Sequence, residues 1–171
     1  GHGGLQIFAN GSFKWGGENF LVRTRQMFAD QGLLVAVVDT PSDRQAPPYL
    51  GGFRRTPEHA ADLGAVMAWL REQAKVPVWL VGTSSGTYSA AYGAIELARP
   101  QGPDGLVLSS TILTQEKGGR AVTAMGLGKL RIPVLVVHHE QDGCSECPFS
   151  EVPMLMDRLV RLAPWPVDWI D

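Results

Sequence analysis

Val76-Pro77-Val78-Trp79-Leu80-Val81 runs directly into Gly82-Thr83-Ser84-Ser85-Gly86, and then into the small residues Thr87, Ser89, Ala90, Ala91 and Gly93. An apolar run of strand length, a G-x-S-x-G turn and a helix-opening segment describe a strand-to-helix corner sharp enough to hold its central residue in a strained conformation. Only flanking residues without bulk let strand and helix approach that closely. Ser84 is therefore expected at the C-terminal end of a strand with its hydroxyl exposed. A serine hydroxyl is a poor nucleophile at neutral pH, so the placement has chemical value only if a base reaches it and backbone N–H groups can receive an oxyanion. The bland alternative is a plain Gly-rich turn. A phosphate cradle is set aside, because no Gly-Lys-Ser/Thr follows and the spacing is not G-x-G-x-x-G.

Around this corner, apolar runs rich in β-branched residues at 33–38, 76–81, 106–109 and 132–138 alternate with helical patterns, and a shorter run at 166–170 reads as a last strand. Such runs predict parallel strands buried on both faces. Leu63, Val66, Met67 and Leu70 fall at helical spacing behind Thr56 as N-cap and Pro57 at the first helical position, giving a helix expected to cover the sheet. Val152, Leu155, Met156, Leu159, Val160 and Ala163 repeat the pattern before Pro164, and Phe20, Thr24, Met27 and Phe28 suggest an earlier helix ended by Gly32. Alternating units of this kind predict an α/β fold with a mostly parallel, doubly wound sheet flanked by helices, all within one domain over 1–171. Ligands in such sheets bind beyond the carboxyl ends of the strands. The irregular stretches 40–55 and 111–129 leave those ends and are expected to wall a pocket or form a small cap.

The strand at 132–138 ends in His139-Glu140-Gln141-Asp142-Gly143. A carboxylate that orients an imidazole must project from a neighbouring strand end at the height of the serine, which makes Asp142 the candidate acid, with Glu140 as the other carboxylate and an Asx-type turn as the structural alternative for Asp142. His138 and His139 sit at the edge of the strand that carries the acid and read as core or supporting imidazoles rather than the base. Gly1-His2-Gly3-Gly4 is a Gly-rich turn whose main-chain N–H groups can face developing negative charge, so Gly4 or Gly3 is a candidate oxyanion donor beside the N–H of Ser85. Cys144 and Cys147 form C-x-x-C, but no second such pair or H-x-x-x-H exists to complete a zinc site, and no metal is expected. They read as structural thiols, or as one partner of a bridge to a residue beyond the present terminus, ahead of a redox pair. His59 reads as a surface or interface histidine. Trp15, Trp69, Trp79, Trp165 and Trp169 read mostly as packing residues, Trp15 as a possible cleft residue.

The formal net charge is −2 and no run of like charge occurs, so nucleic acid is not an expected partner. No segment approaches the roughly 18 apolar residues of a membrane span, which predicts a soluble product, cytoplasmic or exported.

Taken together, the His-Gly-Gly turn, the strand-G-x-S-x-G-helix corner and the later strand ending in an Asp resemble the α/β-hydrolase superfamily over nearly the whole chain. The resemblance implies a serine hydrolase that cleaves a carboxylic ester or related acyl bond through an acyl-enzyme on Ser84. Asp142 is then the triad acid, Ser85 with Gly4 or Gly3 supplies the oxyanion donors, the partner is a small-molecule acyl substrate, and no cofactor is needed. Members of the superfamily carry the base on a loop after the last strand and precede the His-Gly-Gly turn with a strand. No histidine follows His139, and nothing precedes Gly1. These residues are accordingly expected to be part of a longer hydrolase, incomplete at both ends and inactive by themselves. Two other functions remain in view: a non-catalytic binding protein that keeps the elbow without a base, and a thiol-disulfide protein using Cys144 and Cys147.

Overall fold

Pro77 has no N–H to give to a ladder, and the first strand accordingly starts only past it: β1 is Trp79–Ser84, carried through the G-x-S motif to the serine itself. The computed structural model describes residues 4–114, 121–162 and 167–170, with residues from 161 onward described through their backbone alone. Two compact units divide the chain, Gly1–Phe53 and Arg54–Asp171.

In the second unit, β1 pairs with β2 (Gly105–Thr111), β2 with β3 (Val134–Val137) and β3 with β4 (Val167–Ile170), all parallel and in that spatial order. The expected α/β class with a parallel sheet is met. Helix α3 (Pro57–Ala74) precedes β1; its N-cap Thr56 accepts from the His59 N–H at 3.2 Å, and Lys75 closes it in a left-handed conformation at φ +54°. Helix α4 (Gly86–Glu96) links β1 to β2, and α5 (Val152–Leu162) links β3 to β4.

The register decides which side chains share a face. Leu106, Leu108, Val134 and Val136 are buried against Ala90, Ala91 and Ala94 of α4 and Leu155 and Leu159 of α5, with Leu80 packed on the same cluster. Helix α3 stacks on α4, Leu63 standing directly over Gly93. Val81, Val107 and Leu135 are in register on the opposite face, followed by Val137 a step further along. There Trp79, Val81 and Val137 are exposed. The expectation of burial on both faces is thus corrected: within this unit the described helices cover one face only. Continuous apolar runs report that a strand is central and hydrophobic, not that helices lie on both its sides.

The irregular stretch after β2 also differs from expectation. Val122, Leu127 and Leu130 are buried in the helix-covered core through two short 3-10 turns, Val122–Ala124 and Leu127–Lys129, so these residues pack rather than wall a pocket. Residues 115–120 lie outside the described part. The tryptophans depart likewise: Trp15, Trp69 and Trp79 are all exposed, and the side chains of Trp165 and Trp169 lie outside the described residues. His59 is buried within α3 rather than on the surface.

In the first unit, the helix expected around residues 20–28 breaks in two, α1 (Phe20–Arg23) and α2 (Arg25–Asp30), at Thr24, whose hydroxyl donates to the Phe20 carbonyl at 2.6 Å. Gly32 ends the second piece at φ +84°, as expected. The strand expected at 33–38 forms no ladder among the described residues, and Leu33, Leu34 and Val38 are exposed. A strand is made by a partner that takes its N–H and C=O groups, and apolar composition alone does not supply one.

Asp39 organises this unit. Its carboxylate accepts from the N–H groups of Leu5 at 2.6 Å, Ile7 at 3.0 Å and Thr40 at 2.7 Å, tying the segment that follows Gly4 to the end of residues 33–38. Burial pushes the Asp39 carboxyl pKa upward, but the three backbone donors and the Thr40 hydroxyl outweigh it and hold the value below the usual carboxylate range. A carboxyl depressed in the folded state stabilises above the unfolded value, about 3.9, and loses that contribution as pH falls through the folded value. The downfield amide proton shifts of Leu5 and Ile7 should therefore persist from neutral pH to about pH 4 and collapse together below it. NMR titration checks this, and Asp39→Ala should abolish both shifts at every pH and cost about 1 kcal/mol.

Candidate active site

The corner between β1 and α4 is built from steric necessity. Ser84 has φ +51°, a left-handed conformation that a residue with a Cβ adopts at a cost of about 1–3 kcal/mol. The ladder shifts at the same point: Thr83 pairs with Ser109, Ser84 with Thr111, and the skipped Ser110 is itself left-handed at φ +42°. The extra residue belongs to β2, whose end bends at Ser110 while β1 runs without insertion into Ser84. Thr87, fully buried in the first turn of α4, fixes the corner by donating its hydroxyl to the Ser84 carbonyl at 2.6 Å while accepting from the Ile112 N–H at 3.3 Å. The second bond ties the corner to the segment leaving β2.

The two motif glycines are not equivalent. A Cβ on Gly82 would stand 2.6 Å from the Gly86 carbonyl oxygen and 2.9 Å from the Thr87 Cα, whereas a Cβ on Gly86 would meet nothing within 4 Å. Gly82 is required by the approach of helix to strand; Gly86 faces open space. The expectation that both flanking glycines are needed for close packing is corrected at Gly86.

Ser85 is the N-cap of α4, with αR backbone angles and no side-chain capping bond. Its amide lies at the positive end of an eleven-residue helix, where backbone N–H groups and the aligned peptide dipoles favour negative charge. Gly4, in the first unit, is left-handed at φ +74°, and a Cβ there would come within 2.9 Å of the Tyr49 ring, so only glycine fits that turn. Gly3 lies outside the described residues, as does His2.

Asp142 follows β3, and β2 separates β3 from β1, so the acid candidate stands two strands from Ser84 rather than on the adjacent one. Strand spacing puts the two strand axes roughly 10 Å apart, a gap that an imidazole side chain between them could span. The Asp142 side chain is largely shielded, at 16% exposure. Its Oδ1 accepts from the Cys144 N–H at 3.0 Å, an Asx turn, and its own N–H donates to the His139 carbonyl at 3.1 Å. Asp142 therefore makes the turn that sequence reasoning offered as its structural alternative, and the turn fixes one carboxylate oxygen. Glu140 is exposed.

Buried His138 supports this loop. Its Nε2–H donates to the Cys147 carbonyl at 2.8 Å, and the same nitrogen is 3.8 Å from Asp142 Oδ2, beyond hydrogen-bond length. His138 Nδ1 is buried without a partner, and the ring lies 6.1 Å from that of Phe149. His139 is exposed and accepts from the Gln141 N–H through Nδ1 at 2.9 Å. Cys144 and Cys147 are joined in a disulfide, their Cα atoms 5.1 Å apart, which corrects the expectation of separate structural thiols or a bridge elsewhere. The C-x-x-C spacing was the signal. No group of three or more metal-ligating side chains occurs among the described residues.

Sequence reasoning missed the polar surroundings of α4. Arg54 donates to the Ser89 hydroxyl at 2.9 Å, and its burial lowers the guanidinium pKa to about 10. Arg55 lies over the Tyr88 ring at 5.3 Å. Burial raises the Tyr88 pKa, which the Arg55 charge opposes and Glu146 reinforces. For His59, burial and the Arg54 charge lower the pKa against the opposing pull of Asp62. Arg54 and Arg55 lie in an irregular segment with no motif, and only the fold brings them to the helix.

No family model, curated protein or solved structure matches the chain. No helix among the described residues is long and apolar enough to cross a membrane.

The unequal glycines make a direct test. Gly82→Ala should cost about 2 kcal/mol or more through overpacking at the corner. Gly86→Ala should stay within about 1 kcal/mol of the parent or gain slightly, since alanine suits a helix. Urea unfolding monitored by circular dichroism compares the two, and equal costs would contradict the packing described for the corner.

Proposed function

We propose that this chain carries the nucleophile and acid of a serine hydrolase of the α/β-hydrolase type, acting on a small-molecule carboxylic ester or related acyl bond. The observation that carries the reading is Ser84 in a left-handed conformation at the C-terminal end of β1, beneath the N-terminus of α4. Strain of that kind persists only where the surrounding structure imposes it, and it concentrates at reactive positions.

In this reading Ser84 Oγ attacks the acyl carbonyl while an imidazole takes its proton. The tetrahedral oxyanion is received by the Ser85 N–H, and collapse expels the alcohol and leaves an acyl-Ser84 that water hydrolyses. Asp142 orients the imidazole and stabilises its cation, with the Cys144 N–H holding one carboxylate oxygen and leaving the other for the ring. The three described histidines are engaged otherwise: His59 is buried in α3, His138 is bonded to Cys147, and His139 is bonded within its own turn. The base is proposed to lie outside these residues. Side chains and water suffice for the chemistry, and no cofactor takes part.

A fluorophosphonate probe applied to the full encoded protein should label Ser84, and Ser84→Ala should remove the label. Asp142→Asn should lower kcat for an aryl ester by about 10³–10⁴-fold with a much smaller change in KM, because it acts on the imidazole and not on substrate binding. A full-length protein that folds yet leaves Ser84 unlabelled would instead favour a binding protein that keeps the elbow without turnover.

A further inference from the structure

The bridge between Cys144 and Cys147 is joined by hydrogen bonds to the two side chains that define the acid end of the site. The Cys144 N–H holds Asp142 Oδ1 at 3.0 Å, and the Cys147 carbonyl holds the His138 ring at 2.8 Å. The two ends of the bridge differ in how firmly they are fixed. Cys147 is fully buried, and the carbonyl of its neighbour Glu146 accepts from Leu113 at 2.8 Å and Thr114 at 3.3 Å, which anchors this end to the segment leaving β2. Cys144 is only half-buried and follows Gly143, whose Cβ position meets nothing within 4 Å. One end is a post set in the core. The other is an arm that carries the bond to Asp142, and the sulfur–sulfur bond ties the arm to the post alongside a single backbone bond from the Cys147 N–H to the Cys144 carbonyl at 3.0 Å.

We propose that Cys144 and Cys147 form a reversible thiol–disulfide site that locks Asp142 in its working position when oxidised and loosens it when reduced. The effect on turnover rests on the hydrolase reading above; the lock itself does not. The reaction is exchange with a small thiol of the glutathione class. A thiolate attacks Cys144 Sγ, the more accessible sulfur, forming a mixed disulfide while the electron pair of the broken bond leaves on Cys147 Sγ, which takes a proton. A second thiolate then attacks the small-molecule sulfur of that mixed disulfide and releases Cys144 as a thiol. The sum is one protein disulfide and two thiols giving one protein dithiol and one small disulfide. Oxidation runs the same steps backwards. Left with only the Cys147 N–H bond to its carbonyl, the segment with Cys144 holds its N–H less firmly on Asp142 Oδ1, and the contact that fixes the carboxylate's orientation weakens.

The test poises the full encoded protein in buffers of reduced or oxidised glutathione and reads three quantities. Maleimide mass labelling counts thiols, hydrogen exchange reports protection of the Cys144 amide, and an aryl ester reports kcat and KM. Reduction should free both thiols together, as counted by maleimide after denaturation, and lower Cys144 amide protection about tenfold, the equivalent of one hydrogen bond to a charged acceptor. It should lower kcat about five- to tenfold with KM within twofold, as for a residue acting through another. Cys144→Ser and Cys147→Ser should each behave as the reduced protein in both buffers while keeping the parent's circular dichroism. Unchanged Cys144 protection, an unchanged kcat in an active enzyme, or a pair that stays reduced in oxidised glutathione overturns the proposal. If no hydrolysis occurs in either state, the hydrolase reading fails, and the exchange comparison alone decides the lock.

Discussion

The contact between Gly82 and the first turn of α4 is the constraint on which the rest of the site depends. The helix backbone comes so near the strand that no side chain fits between them. A chain that leaves β1 and turns back this closely must pass through a left-handed residue, and Ser84 is that residue. Thr87 then converts a steric accident into a fixed geometry, since its buried hydroxyl bonds both the Ser84 carbonyl and the Ile112 amide. The serine is held in place from behind, through its main chain, and its side chain is left free of structural duty. That separation of backbone constraint from side-chain freedom suits the nucleophilic role proposed for Ser84.

The sheet sets the distance to the second half of the site. Parallel strands put all their C-terminal ends on one edge, and one intervening strand leaves room between Ser84 and the Asp142 loop for a group to act between them. The buried layer of Leu106, Leu108, Val134 and Val136 under α4 and α5 keeps β2 and β3 in register, so the separation is a property of the core. A Leu108→Ala cavity would cost several kcal/mol of stability and would also relax the strand that spaces the two residues.

Much of this was legible from sequence, for reasons that differ by element. Thr56 and Pro57 announce the start of α3 because capping is local chemistry, and the amphipathic spacing of α5 is local in the same sense. The Ser84 corner was legible because its steric demand falls on residues within one turn of each other. Residues 33–38 show the limit: Leu33, Leu34 and Val38 satisfy every compositional test for a strand, yet a ladder depends on a partner elsewhere in the chain. Burial on both faces failed for the same reason, since nothing in the Val81 or Val137 neighbourhood encodes which helix will cover it. Arg54 and Arg55 reach α4 only through tertiary structure. Asp39 is a lone acid in the sequence, and its hold on Leu5 and Ile7 spans more than thirty positions.

The two halves of the site are secured by different physics. At Ser84 the support is repulsive: Gly82 and the Gly86 carbonyl leave no other path for the chain, and repulsion of that kind does not vary with pH or redox state. At Asp142 the support is attractive and specific, one N–H from Cys144 on one oxygen, with the loop tied back through a disulfide and a carbonyl bond to His138. Attractive supports can be withdrawn singly. The corner keeps Ser84 in position under all conditions in which the domain is folded, while the orientation of Asp142 rests on the Cys144–Cys147 turn. Under the proposed hydrolase reading, a control that leaves the fold intact would therefore enter at Asp142 and not at Ser84.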